Sequence, residues 1–374
     1  MHGPTVGSTP LETTVAVLPA RMRAVRYSGA GGAEVIECRE EDLPDVGPGE
    51  VLIRVAAAGI NRADVLQREG HYPPPPGASQ IPGLEVAGVV VGAGDRVTGW
   101  QPGERVCALL AGGGYAEYVA VPQGQVLAVP EQVSLLQAAV FAEAACTVGA
   151  NLLERAGARA GHWVLIHGGA GGVGQFAVQA LRARGCRVIA TAGTPETLQR
   201  CRELGAEHVL DYREFVTPEG SVAFADRVRA CTQGHGVDVV LDVVGASYLS
   251  EHLAALAEEG CVVTIAVPGG ATAKHVSLLT LMQRRARLTG STLRSRSSAD
   301  KAEILARAGA EFWPDVLAGR ITLEVQHRFE LAEAADAHRE FERRGRWGRV
   351  ALIMDAELVD GEHFVTPTVA GEEA

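Results

Sequence analysis

Long apolar runs are missing from this chain. No segment approaches the roughly 20 consecutive apolar residues that cross a bilayer, which argues against a membrane span. Basic clusters interleaved with aromatics are missing too, and a formal net charge of −11 leaves no electrostatic footprint for nucleic acid. The seven cysteines (Cys38, Cys107, Cys146, Cys186, Cys201, Cys231, Cys261) never fall into the C-x-x-C spacing of a zinc knuckle or redox pair. Such an odd, scattered set reads as reduced thiols in a cytoplasmic protein. The histidines lack ligand spacing as well, so no metal site is expected. Lysine occurs only as Lys274 and Lys301, the other cations being Arg, and this bias carries no functional reading. The first 20 residues have neither a charged leader nor a continuous apolar segment, so they read as a flexible tail rather than a secretory signal. Met22 heads the first strand-like stretch, and both a natural start there and an extended leader stay open.

What is present is enough for two cores. At roughly 150 residues per domain, 374 residues suggest two globular domains. From Met22 to about Val129, short strand-like stretches such as MRAVRY, GEVLIRVAAAG and ERVCALL alternate with Gly and Pro, the texture of a β-rich domain. The run Tyr72-Pro73-Pro74-Pro75-Pro76-Gly77 has to be a loop, since proline fixes φ and lacks a donor. From Trp163 to about Thr289 apolar strands alternate with helices predicted near Val173–Arg184 and Glu196–Leu204. That alternation indicates a parallel sheet covered on both faces, a doubly wound α/β domain. The last elements, a helix near Lys301–Leu317, ITLEVQHRFEL, a helix near Ala332–Arg343 and the strand RVALIM, are too few for a third domain and are expected to complete the first. The acidic end beyond Asp355 reads as a second flexible tail, residues 356–374.

The strongest motif follows the strand Trp163-Val164-Leu165-Ile166-His167: Gly168-Gly169-Ala170-Gly171-Gly172-Val173-Gly174, with Gly169, Gly171 and Gly174 in G-x-G-x-x-G register, opening an apolar-periodic helix. Small residues there let backbone N–H groups at a helix start approach a pyrophosphate and let the helix pack on the strand. NAD-specific folds end the second strand in an acid that bonds the ribose 2′-hydroxyl; here that strand ends Ala192-Gly193-Thr194. Gly193 leaves room for a 2′-phosphate and Thr194 can bond it, which favours NADP, although nearby Glu196 counts against it. Arg200 and Arg344 are the candidate cations, each with a solvated-surface alternative.

With these residues in hand, the stretch from Met22 to Met354 resembles the quinone oxidoreductase branch of the medium-chain dehydrogenase/reductase superfamily, with the nearest likeness to its tumour-suppressor-inducible subgroup. The matching stretches are Asn61-Arg62-Ala63-Asp64, Gln67-Arg68-Glu69-Gly70-His71-Tyr72 with the prolines, Gly83-Leu84-Glu85-Val86-Ala87-Gly88, the glycine motif, Asp211-Tyr212 and Gly290-Ser291-Thr292-Leu293-Arg294-Ser295-Arg296. The resemblance implies a GroES-like catalytic domain (21–144 and 285–355) interrupted by a Rossmann domain (145–284), the cofactor NADPH between them, and a homodimer through the Rossmann sheets. It implies that Gly171, Gly172 and Val173 meet the pyrophosphate, Gly193 the 2′-phosphate, Tyr212 the adenosine phosphate, and Val267, Gly269, Leu293 and Arg294 the nicotinamide side. Relatives carry a Lys where this chain has Thr197; Arg344 aligns with a family arginine at the same cofactor end.

Zinc-dependent members of the superfamily have Cys and His where Asn61 and Leu84 stand, and a four-cysteine lobe where this chain offers Cys107. Without Zn²⁺ to hold an alkoxide, alcohol chemistry is disfavoured, whereas hydride addition to a conjugated carbonyl places its charge on an oxygen that hydrogen-bond donors can hold. The resemblance puts the substrate site at Asn61, Asp64 and Tyr72, with Arg294 beside it. Asn61 is a candidate donor to a carbonyl, and Tyr72 a proton donor or pocket wall. Asn61 and Asp64 equally suit a helix cap, and Tyr72 suits packing on the prolines. His167 reads as packed rather than basic, and Cys146 as a core thiol. The expected activity is NADPH-dependent reduction of a small-molecule quinone or enone. Enoyl reduction of a metabolite or polyketide-like intermediate, and a non-catalytic NADPH-binding protein, are the alternatives.

Overall fold

The structure, a computed structural model, describes residues 18–217, 222–274 and 276–360. Of the tails expected at 1–20 and 356–374, residues 1–17 and 361–374 lie outside the described residues, and residues 356–360 form a short helix with Val359 buried, so the chain is still folded there.

The chain opens with an antiparallel pair, β1 (Arg21–Tyr27) and β2 (Ile36–Asp42). The first sheet follows: β3 (Glu50–Gly59), β4 (Glu85–Ala93), β5 (Arg105–Leu109), β6 (Tyr118–Pro122) and β7 (Val126–Ala128), with helix α1 (Arg62–Arg68) between β3 and β4. After α2 (Leu135–Ala138), α3 (Ala142–Val148) runs on into a π-helical segment, Gly149–Arg155. Then comes the alternating region: β8 (Trp163–Ile166), α4 (Gly172–Ala183), β9 (Arg187–Ala192), α5 (Pro195–Glu203), β10 (His208–Asp211), α6 (Ala225–Cys231), β11 (Val237–Asp242), α7 (Leu249–Ala255), β12 (Leu256–Thr264), α8 (Leu278–Arg284) and β13 (Arg287–Gly290). The chain closes with α9 (Ser298–Leu317), β14 (Val325–Glu330), α10 (Ala334–Glu342) and β15 (Arg349–Ile353).

All six strands β8 to β13 are parallel, in the order β10-β9-β8-β11-β12-β13. β8, β9 and β11 are almost wholly buried, as expected when helices cover both faces of a sheet and the strands become continuous apolar runs. The order reverses between β8 and β11, and ligands of such sheets bind at that switch point, outside the strands' carboxyl ends. β13 pairs with β12, Val262 opposite Leu288, so the parallel sheet extends through Gly290, in keeping with the alternation read to about Thr289 and past the boundary at 284 that the resemblance implied. Short and exposed on its outer side, β13 gave no periodic signal.

The other sheet has the order β14-β15-β3-β4-β5-β7, with β6 also on β3. β15 pairs antiparallel with β3, Leu352 opposite Ala58, so the end of the chain returns to its first sheet. The two halves meet over an aromatic cluster. Phe141 stacks on Trp313 of α9 at 3.7 Å between centroids, and Phe176 of α4 meets both Phe141 and Phe312 edge-on. Stacked and edge-to-face pairs add to the burial of large apolar area, which makes this cluster the clamp that fixes α4, and the loop before it, against the first sheet.

Candidate active site

The loop between β8 and α4 is shaped by its glycines. Gly168 has φ +67°, a conformation that L side chains rarely adopt. A Cβ on Gly174 would lie 2.2 Å from the Gly168 carbonyl oxygen and 2.8 Å from Gly169 Cα, so the helix packs on the loop only because it has none there. A Cβ on Gly171 would meet the Gly168 carbonyl oxygen at 3.3 Å, a tight contact with the loop's own backbone. The first turn of α4 leaves its N–H groups without intrahelical acceptors, and these point where a pyrophosphate sits in folds of this kind. Gly169 and Gly171 spend their own N–H groups on the Thr191 and Gly168 carbonyls, so they shape the loop, and the N–H groups of Gly172 and Val173 at the start of α4 are the ones that fit the pyrophosphate of a dinucleotide.

Beyond β9, Gly193 lies against the Tyr212 ring, which a Cβ would approach to 2.4 Å. Tyr212 is half exposed, a flat surface at the rim. Thr194 caps α5, its Oγ1 accepting from Thr197 N at 3.3 Å, while Thr197 Oγ1 accepts from Thr194 N at 2.9 Å. Thr197 is therefore buried in the cap and does not reach the rim. Arg200 is engaged elsewhere, paired with Glu324 and lying over the Trp347 ring at 4.8 Å. Arg344 is exposed and makes no ion pair among the described residues, and the neighbouring Gly345 brings its turn to within 3.1 Å of Thr194 Cγ2, measured from an added Cβ. After β11, Asp242 Oδ1 accepts from the N–H groups of Val244 and Gly245, and Gly269 N donates to the Val244 carbonyl at 2.7 Å. These bonds fix the 265–270 loop beside the switch point, with Val267 exposed on it.

On the opposite wall, Arg294 is buried and donates to Ala111 O at 2.8 Å, Tyr72 O at 3.2 Å and Gln67 Oε1 at 2.6 Å, with its guanidinium 5.5 Å from the centre of the Tyr72 ring. This one side chain ties the segment carrying Leu293 to the proline loop and α1. Tyr72 is half-buried, and burial pushes its hydroxyl pKa up, so it is a protonated donor at neutral pH.

Two expected site residues are otherwise engaged. Asp64 is fully buried: its carboxylate accepts from Asn61 N at 2.8 Å, Tyr115 Oη at 3.0 Å and Gly83 N at 3.2 Å. Burial raises its pKa to about 6 against those bonds. The catalytic role expected for Asp64 is corrected accordingly, because an enclosed helix cap has no face for a substrate. Asn61 Nδ2 donates to Glu85 Oε1 at 2.9 Å, and its Oδ1 accepts from Arg349 at 3.3 Å, so its amide is held within the protein at the cleft edge.

Glu85 and Arg349 carry no role in the sequence reading, and they form the floor of the site. Both are buried and ion-paired, and Glu85 Oε2 accepts from Glu143 N at 3.0 Å. The Arg349 side chain lies against Gly172, 2.8 Å from Cδ to an added Cβ, linking this pair to the cofactor loop. The signal was in the sequence: each heads a strand that is otherwise apolar, and a charge in such a place needs a partner. His167 is buried under the glycine loop, its Nδ1 3.1 Å from Thr191 Oγ1 and its Nε2 2.9 Å from His252 Nε2; burial holds both imidazoles neutral. Cys146 is buried, its thiol pKa pushed far up.

Comparison with known proteins matches residues 47–131 to the alcohol dehydrogenase GroES-like domain and 172–310 to the zinc-binding dehydrogenase family. The quinone oxidoreductase of Lama guanicoe is 30% identical over 338 residues, 89% of this chain and 98% of that protein. The solved Escherichia coli quinone oxidoreductase, complexed with NADPH, is 30% identical with a TM-score of 0.77, covering 89% of this chain and 99% of the other. The phthioceranic/hydroxyphthioceranic acid synthase of Mycobacterium bovis is 38% identical over 221 residues, 59% of this chain and 10% of that much longer protein.

Proposed function

Because this chain belongs to the quinone oxidoreductase branch of the medium-chain dehydrogenase/reductase superfamily, we propose that it is an NADPH-dependent, zinc-independent enzyme that reduces a quinone or another activated enone. The observation that carries this reading is the contact chain from the glycine loop to the expected substrate residues, Gly172 against Arg349, Arg349 paired with Glu85 and Glu85 accepting from Asn61. NADPH bound at the glycine loop supplies a hydride equivalent. The protein's part is to hold it: the α4 start takes the pyrophosphate, and the loop at Val267 to Gly269 with Leu293 and Arg294 borders the nicotinamide side. Gly193, Thr194, Tyr212 and Arg344 would take the 2′-phosphate, where no carboxylate ends β9 to repel it. Tyr72 offers its protonated hydroxyl to the substrate oxygen, and Asn61 braces the floor through Glu85. Among the described residues no group of three His, Cys, Asp or Glu is placed to hold a metal, and this reading assigns the polarisation of the carbonyl to side-chain donors.

The homodimer and the cytoplasmic location belong to the same reading. The edge strand β13 stands next to α8, whose Leu278, Leu279 and Met282 are 69%, 62% and 74% exposed, and Leu288 adds to that apolar face, which suits a second copy joined edge to edge. Among the described residues no helix is long and apolar enough to cross a membrane.

A second reading, enoyl reduction on an acyl thioester, is favoured by the likeness to a segment of the M. bovis synthase. Steady-state NADPH oxidation by quinones and by α,β-unsaturated acyl thioesters, measured side by side, separates the two. Preference for quinones supports the proposal, preference for thioesters the second reading, and NADPH binding with neither turned over a non-catalytic NADPH-binding protein.

A further inference from the structure

Glu143 stands in the first turn of α3. Its backbone N–H is held by Glu85, whose partner Arg349 lies against Gly172, so it is three contacts from the cofactor loop. From the other side its charge is felt by Tyr72, Arg294 and Lys301. The side chain is partly open, yet Oε1 is buried with no hydrogen-bond partner, unlike both oxygens of Glu85 and of Asp64. An unpartnered buried carboxylate oxygen is costly, and a protonated carboxyl avoids that cost while keeping a proton to give.

Resting on the reading that this cleft reduces quinones or enones, we infer that Glu143 is the acid that protonates the substrate oxygen. The Glu143 O–H bond breaks as a new O–H bond forms on the carbonyl oxygen, while the two electrons and the other hydrogen arrive as hydride from the reduced nicotinamide. Hydride and proton together convert a quinone to its hydroquinone, or an enone to the enol of the saturated ketone. The carboxylate left behind takes a proton from water as the product leaves.

The electrostatics fit this role. Burial raises the Glu143 pKa to about 8, with Glu85 and Asp64 adding to the rise and Arg349 and Arg294 opposing it. The other titratable groups facing it are Tyr72, Lys301 on α9 and Cys146 on α3, and burial keeps the hydroxyl and thiol protonated near neutrality. Of the carboxyl groups bordering the cleft, Asp64 is enclosed by three donors and Glu85 is paired with Arg349, which leaves Glu143 as the one with a free oxygen.

The test is Glu143→Gln, with Glu143→Asp beside it, read in two ways. Infrared spectra of the cofactor-free protein at pH 7 are expected to contain a protonated carboxyl band that Glu143→Gln lacks and that disappears from the wild type as pH rises through about 8. In turnover with NADPH and 9,10-phenanthrenequinone, kcat of the wild type is expected to fall over the same range. Glu143→Gln is expected to lose on the order of 100-fold in kcat and the pH limb with it, at unchanged NADPH affinity. Glu143→Asp is expected to keep a shifted limb, which keeps the test decisive if the Gln variant does not fold. Wild-type kcat and pH profile in a folded Glu143→Gln variant, or absence of the band at pH 7, overturns the inference and leaves the reductase reading standing. No turnover of any quinone or enone by the wild type overturns both.

Discussion

Removing Arg349 alone should damage this protein more than removing Arg349 and Glu85 together. The pair is buried on both sides, 9% and 0% exposed, and Glu85 also accepts from Asn61 Nδ2 and Glu143 N. In Arg349→Met the Glu85 carboxylate keeps those two neutral donors but loses its counter-ion in a dry site. Stranding one member of a buried pair costs about 3–5 kcal/mol, whereas replacing both by apolar groups of similar volume is often close to neutral. The double variant Glu85→Leu/Arg349→Met still leaves Asn61 and Glu143 N without their acceptor, a residual cost of about 1–3 kcal/mol. At about 2–4 °C per kcal/mol for a domain of this size, Arg349→Met should lower Tm by on the order of 10 °C, and the double variant by less. Calorimetry on Glu85→Leu, Arg349→Met and the double variant closes the cycle. Additive losses, or a shift under about 2 °C for Arg349→Met, would refute the assignment of this pair as the floor that holds the cleft.

Three further outcomes follow from the geometry. Gly174→Ala places a Cβ 2.2 Å from the Gly168 oxygen, and an overpacking cost of about 1–3 kcal/mol should weaken NADPH roughly tenfold or more in a fluorescence titration. Arg344→Ala should weaken NADPH roughly tenfold and leave NADH unchanged, since only the 2′-phosphate distinguishes them; equal losses for both cofactors would put Arg344 elsewhere. Stability should fall on the acid side. Burial depresses His252 and His338 to about 3, and their neutral forms stabilise the fold fully above the unfolded value of about 6.5. Below that pH the unfolded chain binds the extra protons, so each costs about 2 kcal/mol by pH 5, and denaturation in urea between pH 7 and pH 5 measures it.

The architecture was legible because each layer repeats its signal. The apolar runs VLI, RVIATA and VDVVLD are what a parallel sheet buried on both faces demands, and the glycine spacing marks which strand precedes the cofactor loop. β13 was legible only as the end of the alternation, because four mostly exposed residues carry no period of their own. At the site, the sequence names residue types but not which way they turn. Asn61 and Asp64 open a helix and suit either a cap or a pocket; folding encloses Asp64 beneath Tyr115, 51 residues away, and turns the Asn61 amide to Glu85. Thr197 likewise looked like a missing cation at the phosphate end, while the structure gives it the α5 cap. Long-range pairs such as Glu85 with Arg349, 264 residues apart, have no local pattern; only the presence of a charge at the head of a buried strand announces them.

The chemistry proposed for this protein is reduction of a conjugated carbonyl by NADPH without a metal. Its most direct test is NADPH oxidation with 1,4-benzoquinone and 9,10-phenanthrenequinone in the presence of a strong chelator, using ordinary NADPH and NADPH deuterated at C4. Turnover that the chelator leaves intact, a marked preference for NADPH over NADH, and a slower rate with the deuterated cofactor are expected. Activity abolished by chelation and restored by Zn²⁺, or failure to bind either nicotinamide cofactor, would contradict it.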